Sequence, residues 1–207
     1  MNRRHFLLLL TTLASPLVFS GEVLKGRSAK ASGERERKVW QYAEKLKGLR
    51  LAKSNEFVQM IVFFDPNCPA CKDLWSWFEG DHLLDTATLW VPVVHMNKSS
   101  MGMSINMLRA IDAYHALNNN FSHFDSNANK GATIEAHDQK FREQMEIRSN
   151  NRFWREMLFS ATPLILYRKR NGTYWHEIGF SPKRMSEIIL TLAPSKLTSY
   201  WFGPEKN

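Results

Sequence analysis

Phe57-Val58-Gln59-Met60-Ile61-Val62-Phe63-Phe64-Asp65-Pro66-Asn67-Cys68-Pro69-Ala70-Cys71-Lys72 is the stretch that decides the fold. Its first half is rich in β-branched and aromatic residues and reads as a buried strand. Asp65-Pro66-Asn67 is turn chemistry, and Lys72-Asp73-Leu74-Trp75-Ser76-Trp77-Phe78 reads as the start of a helix. This order places Cys68 at a helix N-terminus, where unpaired backbone N–H groups and the macrodipole favour an anion. A thiolate is such an anion, so the Cys68 thiol is predicted to be acidic and reactive. Cys71 follows one helical turn later, within reach to form or resolve a disulfide.

The chain has 207 residues and no other cysteine. A structural staple closing so small a loop would constrain the unfolded chain little. Half a zinc site is the other alternative, but structural zinc takes a second Cys or Cys/His pair. The seven histidines (His5, His82, His95, His115, His123, His137 and His176) include no pair at H-x3-5-H spacing. A redox-cycling dithiol is the favoured reading, and its chemistry calls for no organic cofactor and no metal.

Upstream, Met1-Asn2-Arg3-Arg4-His5 is a basic start to an apolar stretch from Phe6 to Phe19, interrupted by Pro16. That stretch falls short of the about 20 residues that span a bilayer. Arg3-Arg4-His5-Phe6-Leu7 resembles the twin-arginine export signal, and an ordinary secretory signal that happens to hold two arginines fits equally well. Ala29-Lys30-Ala31 matches the small-x-small cleavage pattern, with an uncleaved anchor as the alternative. Residues 1–31 are read as an export signal. Without them the formal charge falls from +8 to +4. No sustained Lys/Arg run with interleaved aromatics appears, which argues against a nucleic-acid partner. One reactive cysteine pair on an exported chain suits the oxidising periplasm. The remaining 176 residues suffice for one domain with a core.

Residues 32–52 read as a polar helix with Ser32 as N-cap and a stripe of Val39, Ala43, Leu46 and Leu49, with Gly48 weakening its end. Either it packs on the domain behind it, or it is a linker or oligomerisation helix. Downstream, Thr88 to His95 is a second strand whose Pro92 marks an edge or a bulge. Ile105, Leu108, Ile111, Tyr114 and Leu117 recur near helical spacing. Asn118 to Gly131 reads as a polar loop, and Thr133 to Phe159 resumes a helical pattern, broken near Ser149-Asn150-Asn151. Thr162 to Tyr167 is a third strand, Arg170-Asn171-Gly172 a hairpin turn of positive φ, and Thr173 to Ile178 a fourth strand. Ser181-Pro182 opens a last helix carrying Met185, Ile188, Ile189 and Leu192 inward. Tyr200-Trp201-Phe202 in the tail is a candidate to dock on the domain.

Strand, C-x-x-C helix, strand, helical block, Thr-Pro, hairpin and helix form an order that resembles the thioredoxin fold. Within that fold the chain is similar to periplasmic disulfide isomerase/reductase proteins of the DsbC/DsbG type. Three segments carry the resemblance: Phe64 to Lys72, Ala161-Thr162-Pro163, and Gly179-Phe180-Ser181-Pro182. It covers about residues 56–193. It implies an α/β thioredoxin-like domain at 56–207 with an all-helical insertion at about 99–160, preceded by an N-terminal helix or linker at 32–55. It further implies that Cys68 is the exposed nucleophile and Cys71 the resolving thiol. Pro163 would be a cis-proline whose loop faces the disulfide and pairs with substrate backbone. Thr162 either hydrogen-bonds at the sulfur or is an ordinary β-branched strand residue. Partners implied are exported protein substrates and a membrane thiol reductase as electron donor.

The chain departs from that family twice. A separate N-terminal dimerisation domain has no room between the signal and the first strand, so dimerisation through it is not carried over. Pro69-Ala70 puts a small apolar residue where the family often has an aromatic, and this dipeptide tunes redox potential. Expected activities are therefore reduction or isomerisation of disulfides, reduction of sulfenic acids, or dithiol oxidation of the DsbA kind. A copper-handling protein is a further alternative, with Cys68, Cys71, His95, Met96, Met101, Met103 and Met107 as soft ligands; methionines at such spacing also serve as core filler. Asp65 either steers protons near the cysteines or simply makes the turn. Val62 stands where thioredoxin-like proteins often carry a buried carboxylate, which removes one proton acceptor for Cys71.

Overall fold

The computed structural model describes residues 34–52, 56–80, 86–136, 141–157 and 160–195. The export segment 1–31, Ser32, His82, His137 and the Tyr200-Trp201-Phe202 tail lie outside the described residues. Five strands make one mixed sheet: β1 (Leu49–Leu51), β2 (Met60–Phe64), β3 (Thr88–Pro92), β4 (Leu164–Arg168) and β5 (Tyr174–Ile178). Their order across the sheet is β1-β3-β2-β4-β5. β2 and β3 run parallel, which requires a crossover, and α2 (Pro69–Gly80) supplies it. The other neighbours are antiparallel.

β2 is covered on both faces, so all five of its residues are apolar and buried. Met60, Val62 and Phe64 point into a core shared with Leu74, Trp75 and Phe78 of α2. That core also takes Leu117 and Phe121 of α4 (Ala113–Ser122) and Met185 and Ile188 of α6 (Pro182–Thr191). Ile61 and Phe63 point the other way, into a core with Trp40 and Ala43 of α1 (Glu34–Ala43) and Phe153 and Trp154 of α5 (Phe141–Glu156). Beneath α2 the rings of Trp75 and Trp90 meet edge to face at 5.5 Å, and Phe78 meets Trp90 at 5.7 Å. Such pairs add about 0.5–1.5 kcal/mol each beyond their burial.

The structure corrects several local expectations. The first helix ends at Ala43, and Leu49 is not on its stripe but in β1, paired with Trp90 of β3. Gly48 permits this because a Cβ there would press on the Trp90 carbonyl. β3 is not an edge strand. Pro92 is its last residue and lies past the end of β1, whose final partner is Trp90, so its missing N–H disturbs no ladder. The insertion between β3 and β4 holds α3 (Ser99–Arg109), α4 and α5. The periodic run from Ile105 to Leu117 is therefore two helices. Ile111 sits fully exposed between them, and Asp112 caps α4 by accepting from the His115 N–H at 2.9 Å. Asn118 to Ser122 are helical rather than loop.

Ser149-Asn150-Asn151 does not break α5. Asn150 is buried and donates to the Lys47 and Pro92 carbonyls, while Asn151 accepts from the Val94 N–H at 2.8 Å. At the hairpin only Gly172 has positive φ (+77°). Ser181 precedes α6 with Pro182 at its start, but its hydroxyl makes no capping bond.

Candidate active site

Cys68 is the residue before α2, and its carbonyl accepts the first helical bond, from the Lys72 N–H at 3.1 Å. Pro69 opens the helix, a position where its missing N–H costs nothing and its fixed φ is helical. Pro69 and Ala70 are half-buried. The two thiols are not bonded to each other. Cys68 retains 4% exposure and Cys71 none, so the expected exposed nucleophile is in fact largely covered. Packing in the aromatic core below α2 draws both cysteines inward.

Their acidities diverge. A hydrogen bond from the Cys71 thiol pulls the Cys68 pKa down to about 6, against the opposing effect of burial. Thr162 and the backbone N–H groups of Cys71 and Ala70 assist. Burial pushes Cys71 well above the ordinary thiol range, and its bond and charge relation to Cys68 push the same way. Hydrogen bonds, not a neighbouring cation, make Cys68 the acidic thiol: Lys72 lies beside Asp73, 3.4 Å away. At neutral pH the pair is one thiolate and one thiol.

The Thr162–Pro163 peptide is cis. When Cys68 is protonated, its thiol donates to the Thr162 carbonyl at 3.3 Å, across 94 residues of sequence. The Thr162 hydroxyl is buried and unpaired in the dithiol, yet it lies where a thiolate at either sulfur would use it. Thr162 is not a strand residue, because β4 starts at Leu164 and Thr162 lies in the bend before it; its backbone carbonyl is what reaches the sulfur. The Pro163 carbonyl is occupied by the Gly179 N–H at 2.8 Å.

Asp65 is fully buried, and its carboxyl oxygens accept four hydrogen bonds. The donors are Asn67 N–H (2.8 Å), Ser100 Oγ (2.7 Å), His95 N–H (2.6 Å) and Met96 N–H (2.8 Å). With every direction filled, it organises the turn rather than shuttling protons. Sequence reasoning missed Asn67 and Asn120, both fully buried beside the same turn. Among the described residues no group of three or more His, Cys, Asp and Glu could hold a metal ion. The soft ligands do not gather either. His95 packs on Trp154, Met101 packs against Ile105 and Ile147, and Met96 is 44% exposed. Of the cluster only Met107 shares the cysteines' core. A groove of about 740 Å³ between α1 and α5, with Tyr42, Met145 and Phe153 among its lining, contains neither cysteine.

No protein-family model and no curated protein sequence matches the chain. Solved structures do. A periplasmic thioredoxin-like protein from Salmonella enterica serovar Typhimurium superposes with a TM-score of 0.54 at 16% identity, covering 78% of this chain and 97% of that one. Proteus mirabilis ScsC in a compact conformation gives 0.54 at 15% identity, covering 78% and 80%. Salmonella enterica Typhimurium BcfH gives 0.53 at 14% identity, covering 75% and 79%. At such identities the similarity is one of architecture, and the architecture is a thioredoxin-like α/β fold with a helical insertion and an N-terminal helix.

Proposed function

We propose that the chain is a thiol:disulfide oxidoreductase that reduces or isomerises disulfides in exported proteins. The observation that carries this reading is the split pair at the start of α2. Cys68 is acidic and next to the Thr162 carbonyl, and Cys71 is protonated and held directly behind it. A thiolate at Cys68 attacks a substrate disulfide: the Cys68–substrate bond forms, the substrate S–S bond breaks, and the leaving thiolate takes a proton from water. Cys71, once deprotonated, attacks the Cys68 sulfur. The protein disulfide forms and the second substrate thiol departs, so the substrate gains two electrons and the protein loses two. If a substrate thiolate attacks the mixed disulfide instead, the outcome is isomerisation. A substrate sulfenic acid enters the same route, releasing water as its S–O bond breaks.

Net turnover needs a donor that returns two electrons to Cys68–Cys71, and a membrane thiol reductase on the periplasmic side fits the export signal at residues 1–31. Dithiol oxidation of the DsbA kind is the second reading, favoured by the low Cys68 pKa, since stabilising the thiolate favours the reduced form. The redox state of the pair in intact cells separates them: free thiols support reduction or isomerisation, and a bonded pool supports oxidation. Cys68→Ser is expected to abolish insulin reduction, while Cys71→Ser accumulates mixed disulfides. Full activity of Cys68→Ser would remove the proposal.

A further inference from the structure

The turn before Cys68 is held from outside, and every tie runs to the helical insertion or the loop leading into it. The Asn67 carboxamide is the centre of it. Its Nδ2 has two hydrogens and faces three acceptors: Asn97 Oδ1 at 3.1 Å, Ser99 Oγ at 3.0 Å and Ser100 Oγ at 2.9 Å. Its Oδ1 accepts from the Gly131 N–H at 3.1 Å, and its backbone N–H donates to Asp65 Oδ1. One residue earlier, the Pro66 carbonyl accepts from Asn120 Nδ2 of α4 at 3.0 Å. Asn120 in turn takes the N–H groups of Ala132 and Thr133. The fit leaves no slack: a Cβ on Gly131 would collide with both the Pro66 carbonyl and the Asn120 carboxamide.

We propose that Asn67 is the positioning residue of the nucleophile, clamping the turn to the start of α3 and to the Gly131 loop so that the Cys68 sulfur stays aligned with the α2 N-terminus. The proposal rests on Cys68 being the nucleophile. Asn67 is fully buried with its donors and acceptor taken, so it has no free group to offer a substrate. It acts through Cys68, its neighbour in the chain. The Cys68 N–H closes the turn on the Asp65 carbonyl at 3.0 Å, and the Cys71 thiol and the backbone N–H groups of Cys71 and Ala70 converge on the Cys68 sulfur. Those contacts are set by where the turn delivers Cys68, and a displacement of the turn weakens all of them together. The insertion is on this account the anchor of the reactive thiol.

The test is iodoacetamide labelling of the reduced full chain against pH, with the labelled site mapped by mass spectrometry, for wild type, Asn67→Ala, Ser100→Ala and the surface variant Arg142→Ala. Loss of the clamp is expected to raise the Cys68 midpoint by about one pH unit in Asn67→Ala and cut labelling at pH 6 about fivefold. Ser100→Ala, which keeps the carboxamide but removes one of its acceptors together with one donor to Asp65, shifts the midpoint the same way by less. Arg142→Ala does not shift it. If Asn67→Ala does not fold, the shift in Ser100→Ala decides. A folded variant that loses thermal stability but keeps the wild-type midpoint has a merely structural Asn67, and the proposal fails. A wild-type midpoint in the ordinary thiol range defeats the nucleophile assignment itself, a different result.

Discussion

Two turns in this molecule use the same residue types to different ends. At the β4–β5 hairpin, Asn171 Oδ1 accepts from the Thr173 N–H and hydroxyl at 3.1 and 2.7 Å, both exposed and two residues away. In the turn before Cys68, Asp65 makes the equivalent bond to the Asn67 N–H. Its remaining capacity then goes to donors 30, 31 and 35 residues distant, on a carboxyl that is itself fully buried. A hairpin side chain that is lost can be replaced by solvent. A buried acceptor cannot, because each orphaned donor then carries its full desolvation cost. The hairpin needs only to reverse the chain. On the proposed reading, the turn before Cys68 has to deliver one sulfur to one place.

The contrast is most exposed to refutation at Asp65. Asp65→Ala leaves three backbone N–H groups and the Ser100 hydroxyl without their acceptor. The expected loss is about 3–5 kcal/mol in chemical denaturation. A loss below 1 kcal/mol would mean that water enters the turn and that it is no more constrained than the hairpin.

Reactivity gives the next effect in size. With its pKa near 6, Cys68 in the reduced chain should label with a midpoint near pH 6 while Cys71 stays unlabelled. At that pH the thiolate fraction exceeds that of an ordinary thiol about 10²-fold. The sign for stability follows. A depressed acid stabilises the reduced fold above its unfolded pKa, and that contribution is lost as pH falls from about 9 through about 6. Chemical denaturation of the reduced protein between these limits checks it. Cys68→Ser should flatten this part of the profile, leaving the opposite-signed contribution of Cys71, whose raised pKa acts only at higher pH.

What could be read from the chain divides along the same line between local and distant causes. The strand, the Cys68–Cys71 helix start and the Ser181-Pro182 opening of α6 were legible because neighbouring residues determine them. β1 was not: a three-residue strand exists by virtue of Trp90 and its neighbours on β3, 37 to 41 positions on. Ile111 fitted a helical period by number alone, while Asp112 carried the real boundary signal as an N-cap. In the site, the cysteines followed from spacing, and Thr162 and Pro163 only from resemblance. Asn67, Asn120 and Gly131 looked like ordinary turn and loop residues. The one clue was Asn120 itself, a polar residue between Leu117 and Phe121 on the face of α4 that turns out to be buried.

The smallest effects belong to the hairpin, where they separate backbone conformation from side-chain bonding. Gly172 has φ of +77°, and a Cβ there would meet no other atom within 4 Å. Gly172→Ala therefore meets a conformational penalty without a clash, and about 1–2 kcal/mol is expected. Asn171→Ala removes two exposed bonds that water can replace, so a few tenths of a kcal/mol is expected. Neither substitution should alter the Cys68 labelling midpoint, since among the described residues no hydrogen bond joins Asn171 or Gly172 to the turn before Cys68. Equal losses for Asn171→Ala and Asp65→Ala, measured in the same denaturant series, would erase the distinction between a turn that merely reverses the chain and one that holds a thiol in place.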